Sequence, residues 1–299
     1  LHTAYRRQRQ MCIRDRYYTE DMPDGRVKHI VQNITDPDIV PYIPDGIGNS
    51  TDRQRIPAVL IIPGGAFRRL VYNFEGEDVA KWLNSMGIAA FVLECRLPSD
   101  EHDNAEDVPL IDAMRAMRVI RGRAQEFGID EAKIGVMGFS AGGFMAALLS
   151  TAYESDVYAD YKYKDEYDKL SARPDFAVCS YPVISIDDCI EAGKRYMSEE
   201  QVLERISDSK AKILHKYNPD KLVRPDMPPV FICETDDDRT TLSENSVGFY
   251  MAARKAGVSA ELHIFRTGGH GYGCGDDFAQ TGEWKVLFTK WIKSIGIIS

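Results

Sequence analysis

Cysteine is sparse and shows no pairing pattern. The six cysteines of this 299-residue chain (Cys12, Cys95, Cys179, Cys189, Cys233, Cys274) form no C-x-x-C pair and no zinc-like spacing. That scatter argues against a disulfide framework and against a structural metal site. Cys95, Cys179 and Cys233 stand inside apolar, strand-like runs, where a reduced core thiol is the ordinary reading. Long hydrophobic runs are missing too: no uninterrupted apolar stretch reaches the roughly 18–20 residues that cross a bilayer. Positive charge is also short, with 37 Lys and Arg against 46 Asp and Glu, net −9. Nucleic acid and anionic membrane surfaces both call for a positive face, so neither is an expected partner. The acidic balance by itself names no substrate and is more often a solubility feature. Nothing in the composition calls for a metal or organic cofactor.

With 44% hydrophobic residues the chain can bury a large core. Its length exceeds the usual domain, yet α/β folds run to this size as one unit. The chain opens on Leu1 with LHTAYRRQRQMCIRDR, a basic segment without hydrophobic periodicity, unlike the acidic sequence that follows. Residues 1–16 therefore read as a non-native tail, an adaptor, vector or assembly remnant, and are set aside from fold reasoning. The string CIRDR resembles translated sequencing adaptor, which suits a metagenomic origin; a natural basic tail is the alternative. The missing signal peptide says little, since the native start can lie upstream. The reduced-looking cysteines tilt the expectation toward the cytoplasm.

From residue 17 onward strand and helix patterns alternate. Ile30 to Ile43 suits an edge strand interrupted by prolines. IPAVLIIPGG (56–65), IAAFVLECRL (88–97), KIGVMGF (133–139), FAVCSYPVI (176–184), PPVFICET (228–235) and AELHIF (260–265) read as strands. The continuous apolar runs among them suit strands buried on both faces of a parallel sheet. Helices are predicted over 77–86, about 105–127, 141–150, 243–258 and about 282–294. Residues 153–173 read as a surface excursion, and 187–224 as a polar helical insert or lid. No internal repeat or second core is evident, so residues 17–299 are expected to form a single α/β domain.

Gly138-Phe139-Ser140-Ala141-Gly142 matches G-x-S-x-G, with an apolar strand before it and a small-residue helix after it. Such an elbow projects the serine hydroxyl at the edge of the sheet, and its glycines avoid collision across the turn. Serine needs a neighbouring base. Of the six histidines (His2, His29, His102, His215, His263, His270), only His270 sits in a glycine-dense loop, RTGGHGYGCG, just past the last strand. A carboxylate must orient that base. Asp236, Asp237 and Asp238 follow the strand before it, and the residues alone do not separate them. Oxyanion donors are expected from the N–H of Ala141 and from the Pro63-Gly64-Gly65-Ala66 strip.

Four blocks carry a resemblance: VLIIPGGAF with EGEDVAKWLNSMGIAAFVLECRLP, KIGVMGFSAGGFMAALLST, PPVFICETDDDRTTLSENS, and GGHGYG. Over residues 27–299 the chain resembles bacterial α/β-hydrolases of the acetylxylan-esterase and feruloyl-esterase kind, related to hormone-sensitive lipase. The resemblance implies the α/β-hydrolase fold, a mostly parallel central sheet with helices on both faces and a small helical lid. It implies Ser140 as nucleophile, His270 as base, and Gly65, Ala66 and Ala141 as oxyanion donors. Counting back from Glu244-Asn245-Ser246 it places the acid at Asp238, with Asp237 the runner-up, because Leu242 stands where relatives carry Pro. Ala66 stands where relatives carry a third glycine; it still offers its N–H, and crowding of the acyl pocket by its methyl would favour small acyl groups. Glu234 stands where relatives often have His, without a functional account.

The expected function is a serine carboxylic ester hydrolase that removes acetyl groups from carbohydrate such as xylan fragments, its partner a small-molecule or oligosaccharide ester. A prolyl-oligopeptidase-type peptidase shares the elbow but usually carries a β-propeller, for which this chain has no room. A catalytically silent hydrolase fold used for binding is the third reading.

Overall fold

The computed structural model describes residues 16–299 apart from 24, 48–54, 101, 160, 162–163, 197, 199, 202–211 and 276–279. The tail read over 1–16 therefore lies, Arg16 excepted, outside the described residues. Seven described strands form the main sheet: β3 (Asp38–Tyr42), β4 (Ile56–Ile62), β6 (Ala89–Glu94), β7 (Ile129–Phe139), β8 (Ala177–Ser180), β9 (Val230–Thr235) and β10 (Ala260–Phe265). Their order is β10-β9-β8-β7-β4-β6-β3. All pair in parallel except β3, which runs antiparallel to β6 at the edge. A second, antiparallel sheet joins β1 (Arg16–Asp21), β2 (Val27–Gln32) and the short β5 (Leu70–Val71).

The strands of the centre are apolar on both faces because both faces are covered. Ala58, Leu60 and Ile62 of β4 point to one core with Met114, Met117, Phe144 and Phe249. Val59 and Ile61 point to the other, with Val79, Leu83, Phe288 and Trp291. The first layer comes from α2 (Val108–Gly122), α4 (Ala141–Ala152) and α7 (Ser243–Lys255). The second comes from α1 (Asp78–Ser85) and α8 (Glu283–Ser294). Trp284 of α8 is fully buried, edge-on to Trp82 and Phe139. Truncating an aromatic so placed costs about 3–5 kcal/mol.

Two local expectations change. The single edge strand read over 30–43 is two strands in different sheets: β2 ends at Gln32 and β3 starts at Asp38. The helix read to residue 127 breaks at Arg123, and a four-residue turn of helix, α3 (Ala124–Phe127), follows. That turn is closed by Gly128 at φ +68°. The surface excursion 153–173 packs back on α2, with Arg115 paired to Asp165 at 2.6 Å and Arg118 stacked 4.0 Å over Tyr158. Among the described residues no helix is long and apolar enough to cross a membrane.

Candidate active site

Strand order reverses at β4, which has β6 on one side and β7 on the other. Beyond the carboxyl ends of such strands a parallel sheet leaves a crevice, and the chemistry-bearing loops converge there. Ser140 follows β7, Gly64–Ala66 follow β4, Asp238 follows β9 and His270 follows β10. Ser140 sits at φ +53° and ψ −117°, a strained conformation for a non-glycine residue. The turn is tight enough that a Cβ on Gly138 would lie 1.9 Å from the Gly142 carbonyl oxygen. One on Gly142 would lie 1.9 Å from that of Ile62. Glycine at both positions is therefore a steric requirement.

His270 Nδ1 lies 2.6 Å from Asp238 Oδ2, and its Nε2 lies 2.8 Å from Ser140 Oγ. A carboxylate only accepts, so Nδ1 carries the proton and Nε2 is left to accept from the serine hydroxyl. Asp238 is fixed in turn: its Oδ1 accepts from the N–H groups of Thr240 (2.7 Å) and Thr241 (3.0 Å), its Oδ2 from the Thr241 hydroxyl. Burial works against its charge. The hydrogen bond and charge of His270 and those two N–H groups nonetheless hold the carboxyl below its ordinary range. Asp237 accepts instead from the N–H of Gly268 and Gly269, which shapes the histidine loop. Asp236 donates its N–H to the Phe265 carbonyl and extends the β9–β10 pairing. The three aspartates that the residues alone left unresolved thus take three different places.

Gly65 and Ala66 line the cleft with Ser140 and His270, in a volume of about 950 Å³. Among the described residues their N–H groups and that of Ala141 have no protein acceptor. The strip is bent hard, with φ of +139° at Gly65, +56° at Ala66 and +58° at Phe67. The other described histidines lie elsewhere: His263 pairs with Glu261 at 2.7 Å, and His102 meets the Ile34 carbonyl at 2.9 Å. Among the described residues no group of His, Cys, Asp and Glu is gathered closely enough to hold a metal ion.

The stretch 187–224 contributes none of its described residues to this cleft. Its later part, α6 (Lys212–Lys216) and Tyr217, is pinned to Asp107 at the start of α2, with Lys216 Nζ 2.6 Å away. The wall comes instead from the β1–β2 hairpin, through Tyr18, Arg26, Lys28 and Gln32. Sequence reasoning also missed Glu75 and Tyr181. Glu75 is 5% exposed; its Oε2 accepts from the Gly64 N–H at 2.8 Å and its Oε1 from the Tyr181 hydroxyl at 2.9 Å. The one available signal was that Glu75 opens the block EGEDVAKWL quoted above.

A family model described as BD-FAE matches residues 47–252. The chain belongs to the BD-FAE family. The matched span holds Ser140 and Asp238 and ends before His270, whose placement rests on the geometry. This BD-FAE protein is 31% identical over 240 residues to an acetylxylan esterase of Xylanibacter ruminicola, covering 80% of this chain and 45% of that one. It is 29% identical over 269 residues to endo-1,4-beta-xylanase B of Butyrivibrio fibrisolvens, covering 87% and 40%. The chain thus spans less than half the length of these curated relatives. Among solved structures, an acetyl ester-xyloside bifunctional hydrolase from Caldicellulosiruptor lactoaceticus has a TM-score of 0.72 at 38% identity, covering 88% of this chain and 89% of that one. The carboxylesterase Cest-2923 from Lactobacillus plantarum has a TM-score of 0.71 at 20% identity, covering 96% and 99%. The BD-FAE chain has the α/β-hydrolase fold of these structures.

Proposed function

We propose that this chain is a serine esterase that removes acetyl groups from xylan-derived carbohydrate. The observation that carries the reading is the continuous relay from Ser140 Oγ through His270 to Asp238, at 2.8 and 2.6 Å. His270 takes the hydroxyl proton as Ser140 attacks the ester carbonyl. The N–H groups of Gly65, Ala66 and Ala141 stabilise the oxyanion that develops. As the bond from the acyl carbon to the sugar oxygen breaks, the imidazolium, held by Asp238, protonates that oxygen, so that the sugar leaves as its hydroxyl and an acetyl group stays on Ser140. Water, activated by the same imidazole, then releases acetate. The carbohydrate part of the proposal is supported by the acetylxylan esterase and the acetyl ester-xyloside hydrolase among the relatives. It is tested by acetate release from acetylated xylo-oligosaccharides. Wild type is expected to release acetate and Ser140→Ala none; turnover of p-nitrophenyl acetate without release from the oligosaccharide would reject the substrate class.

A further inference from the structure

Among the described residues that line the cleft, Glu75 is a buried carboxyl to which the triad gives no task. Glu75 lies in the π-helical turn Asn73–Glu77 that leads into α1, and its carboxylate reaches the Gly64 end of the oxyanion strip. A Cβ placed on Gly64 would meet Glu75 Oε2 at 2.7 Å and Ser140 Cβ at 2.9 Å, so Gly64 is wedged between the two side chains. The other carboxylate oxygen accepts from Tyr181, whose hydroxyl oxygen accepts from the Gly273 N–H at 3.0 Å. Gly273 lies three residues past His270, and the Tyr181 ring meets the imidazole edge-on, centroids 5.0 Å apart. Every proton in this chain of contacts is placed only if Glu75 accepts at both oxygens, which is what a carboxylate does.

We propose that Glu75 is a positioning residue: one buried carboxylate ties the Gly64–Ala66 strip to the His270 loop through Tyr181, setting oxyanion donors and base relative to each other. The inference rests on the esterase reading of Ser140, His270 and Asp238. The backbone supports it, since the positive φ values of the non-glycine residues Ala66, at the end of the strip, and Phe67, just after it, store strain that local hydrogen bonds must hold. Val71 N–H holds the Gly64 carbonyl at 2.9 Å, and Glu75 holds the N–H of the same residue. The charged and titratable groups facing Glu75 are His270, Tyr181 and Lys28. Burial pushes its carboxyl up from the ordinary value, and the His270 charge, the Tyr181 hydroxyl and the Gly64 N–H pull it back. The Glu75 side chain thus lies within electrostatic reach of His270 as well as fixing the strip.

The test measures p-nitrophenyl acetate hydrolysis across about pH 5 to 9 for the full chain and for Ser140→Ala, Glu75→Gln, Glu75→Ala and Tyr181→Phe. Reactive serine is titrated and folding is followed by circular dichroism. Glu75→Gln is expected to lower kcat per titrated serine about 10- to 100-fold with KM within about twofold, the size of effect that misplacing a reacting group produces. It also moves the acid limb of kcat/KM to lower pH, because a negative charge near the imidazole has gone. Tyr181→Phe keeps that charge and is expected to lower kcat without moving the limb. The proposal is overturned if folded Glu75→Gln matches wild type in kcat and pH profile, or if it changes KM alone. Failure of both Glu75 variants to fold overturns it as well, since the residue is then merely structural. Wild type no faster than Ser140→Ala is a different failure, that of the esterase reading.

Discussion

Oδ2 of Asp238 lies 2.6 Å from Nδ1 of His270, while Oδ1 of the adjacent Asp237 accepts the N–H of Gly269, the residue just before that histidine, at 2.8 Å. One turn after β9 thus holds the His270 imidazole and shapes the loop that carries it. The two contacts differ in what they ask of a carboxylate. In the proposed mechanism Asp238 offsets the imidazolium charge and selects the tautomer, whereas the contact of Asp237 asks only for a carbonyl-type acceptor.

Asp238→Asn is therefore expected to lower kcat about 10³- to 10⁴-fold, because the amide can stabilise the wrong tautomer. Asp237→Asn keeps an oxygen for Gly268 and Gly269 and is expected to cost less than about tenfold. Steady-state kinetics on p-nitrophenyl acetate check both; the reverse order of losses would move the acid to Asp237.

The elbow makes a steric prediction. Gly142→Ala places a methyl 1.9 Å from the Ile62 carbonyl oxygen, a backbone atom that cannot turn aside. Either β4 and α4 separate or the chain fails to fold, so soluble yield and thermal melting should collapse. A variant with wild-type melting and activity would show that the turn is looser than described.

Much of this was legible beforehand, for local reasons. Gly138, Ser140 and Gly142 are adjacent in sequence, and their steric demand is visible in five residues. His270 stood out because the other histidines sit in patterned or polar segments while it sits among glycines. Ala66 occupies a positive φ at the cleft wall. Glu75 was not legible, because a glutamate in a polar turn reads as solvated. Its burial is fixed by Tyr181, 106 residues away, and by the Gly64 backbone. The β1–β2 hairpin escaped for a similar reason: its alternation is weak and polar, and only pairing with β5 and packing of Val31 and Leu70 into the core define it.

Ala66→Gly tests the acyl pocket. An alanine at φ +56° carries local strain of about 1 kcal/mol that glycine does not. Removing the methyl also widens the cleft that Ala66 and Ser140 both line. The ratio of p-nitrophenyl butyrate to acetate hydrolysis is expected to rise severalfold; an unchanged ratio would mean that acyl length is limited elsewhere in the cleft.

Glu234 gives a pH prediction. It is fully buried, with Oε1 accepting from the Thr235 N–H at 2.9 Å and Oε2 from the Ser246 hydroxyl at 3.3 Å. Burial and the negative charge of Asp238 push its carboxyl well above the ordinary range. The folded protein thus keeps a proton that the unfolded chain has released. The stability it contributes is complete below the unfolded value of about 4.3 and is lost as pH rises through the folded one. Asp238 has the opposite sign, since its depressed carboxyl contributes above about 3.9 and fades only in acid. Glu234→Gln removes the first effect while keeping an oxygen for Thr235. Its melting temperature relative to wild type should climb between about pH 5 and pH 8. A flat difference would contradict the assignment.

The central claim is that Ser140 is the nucleophile and His270 its base. It is tested most directly by labelling the chain with a fluorophosphonate and mapping the adduct by mass spectrometry. The account predicts a single adduct on the peptide containing Ser140, formed at least about 100-fold more slowly in His270→Ala and absent in Ser140→Ala. An adduct on another residue, or equal labelling of wild type and Ser140→Ala, would contradict it.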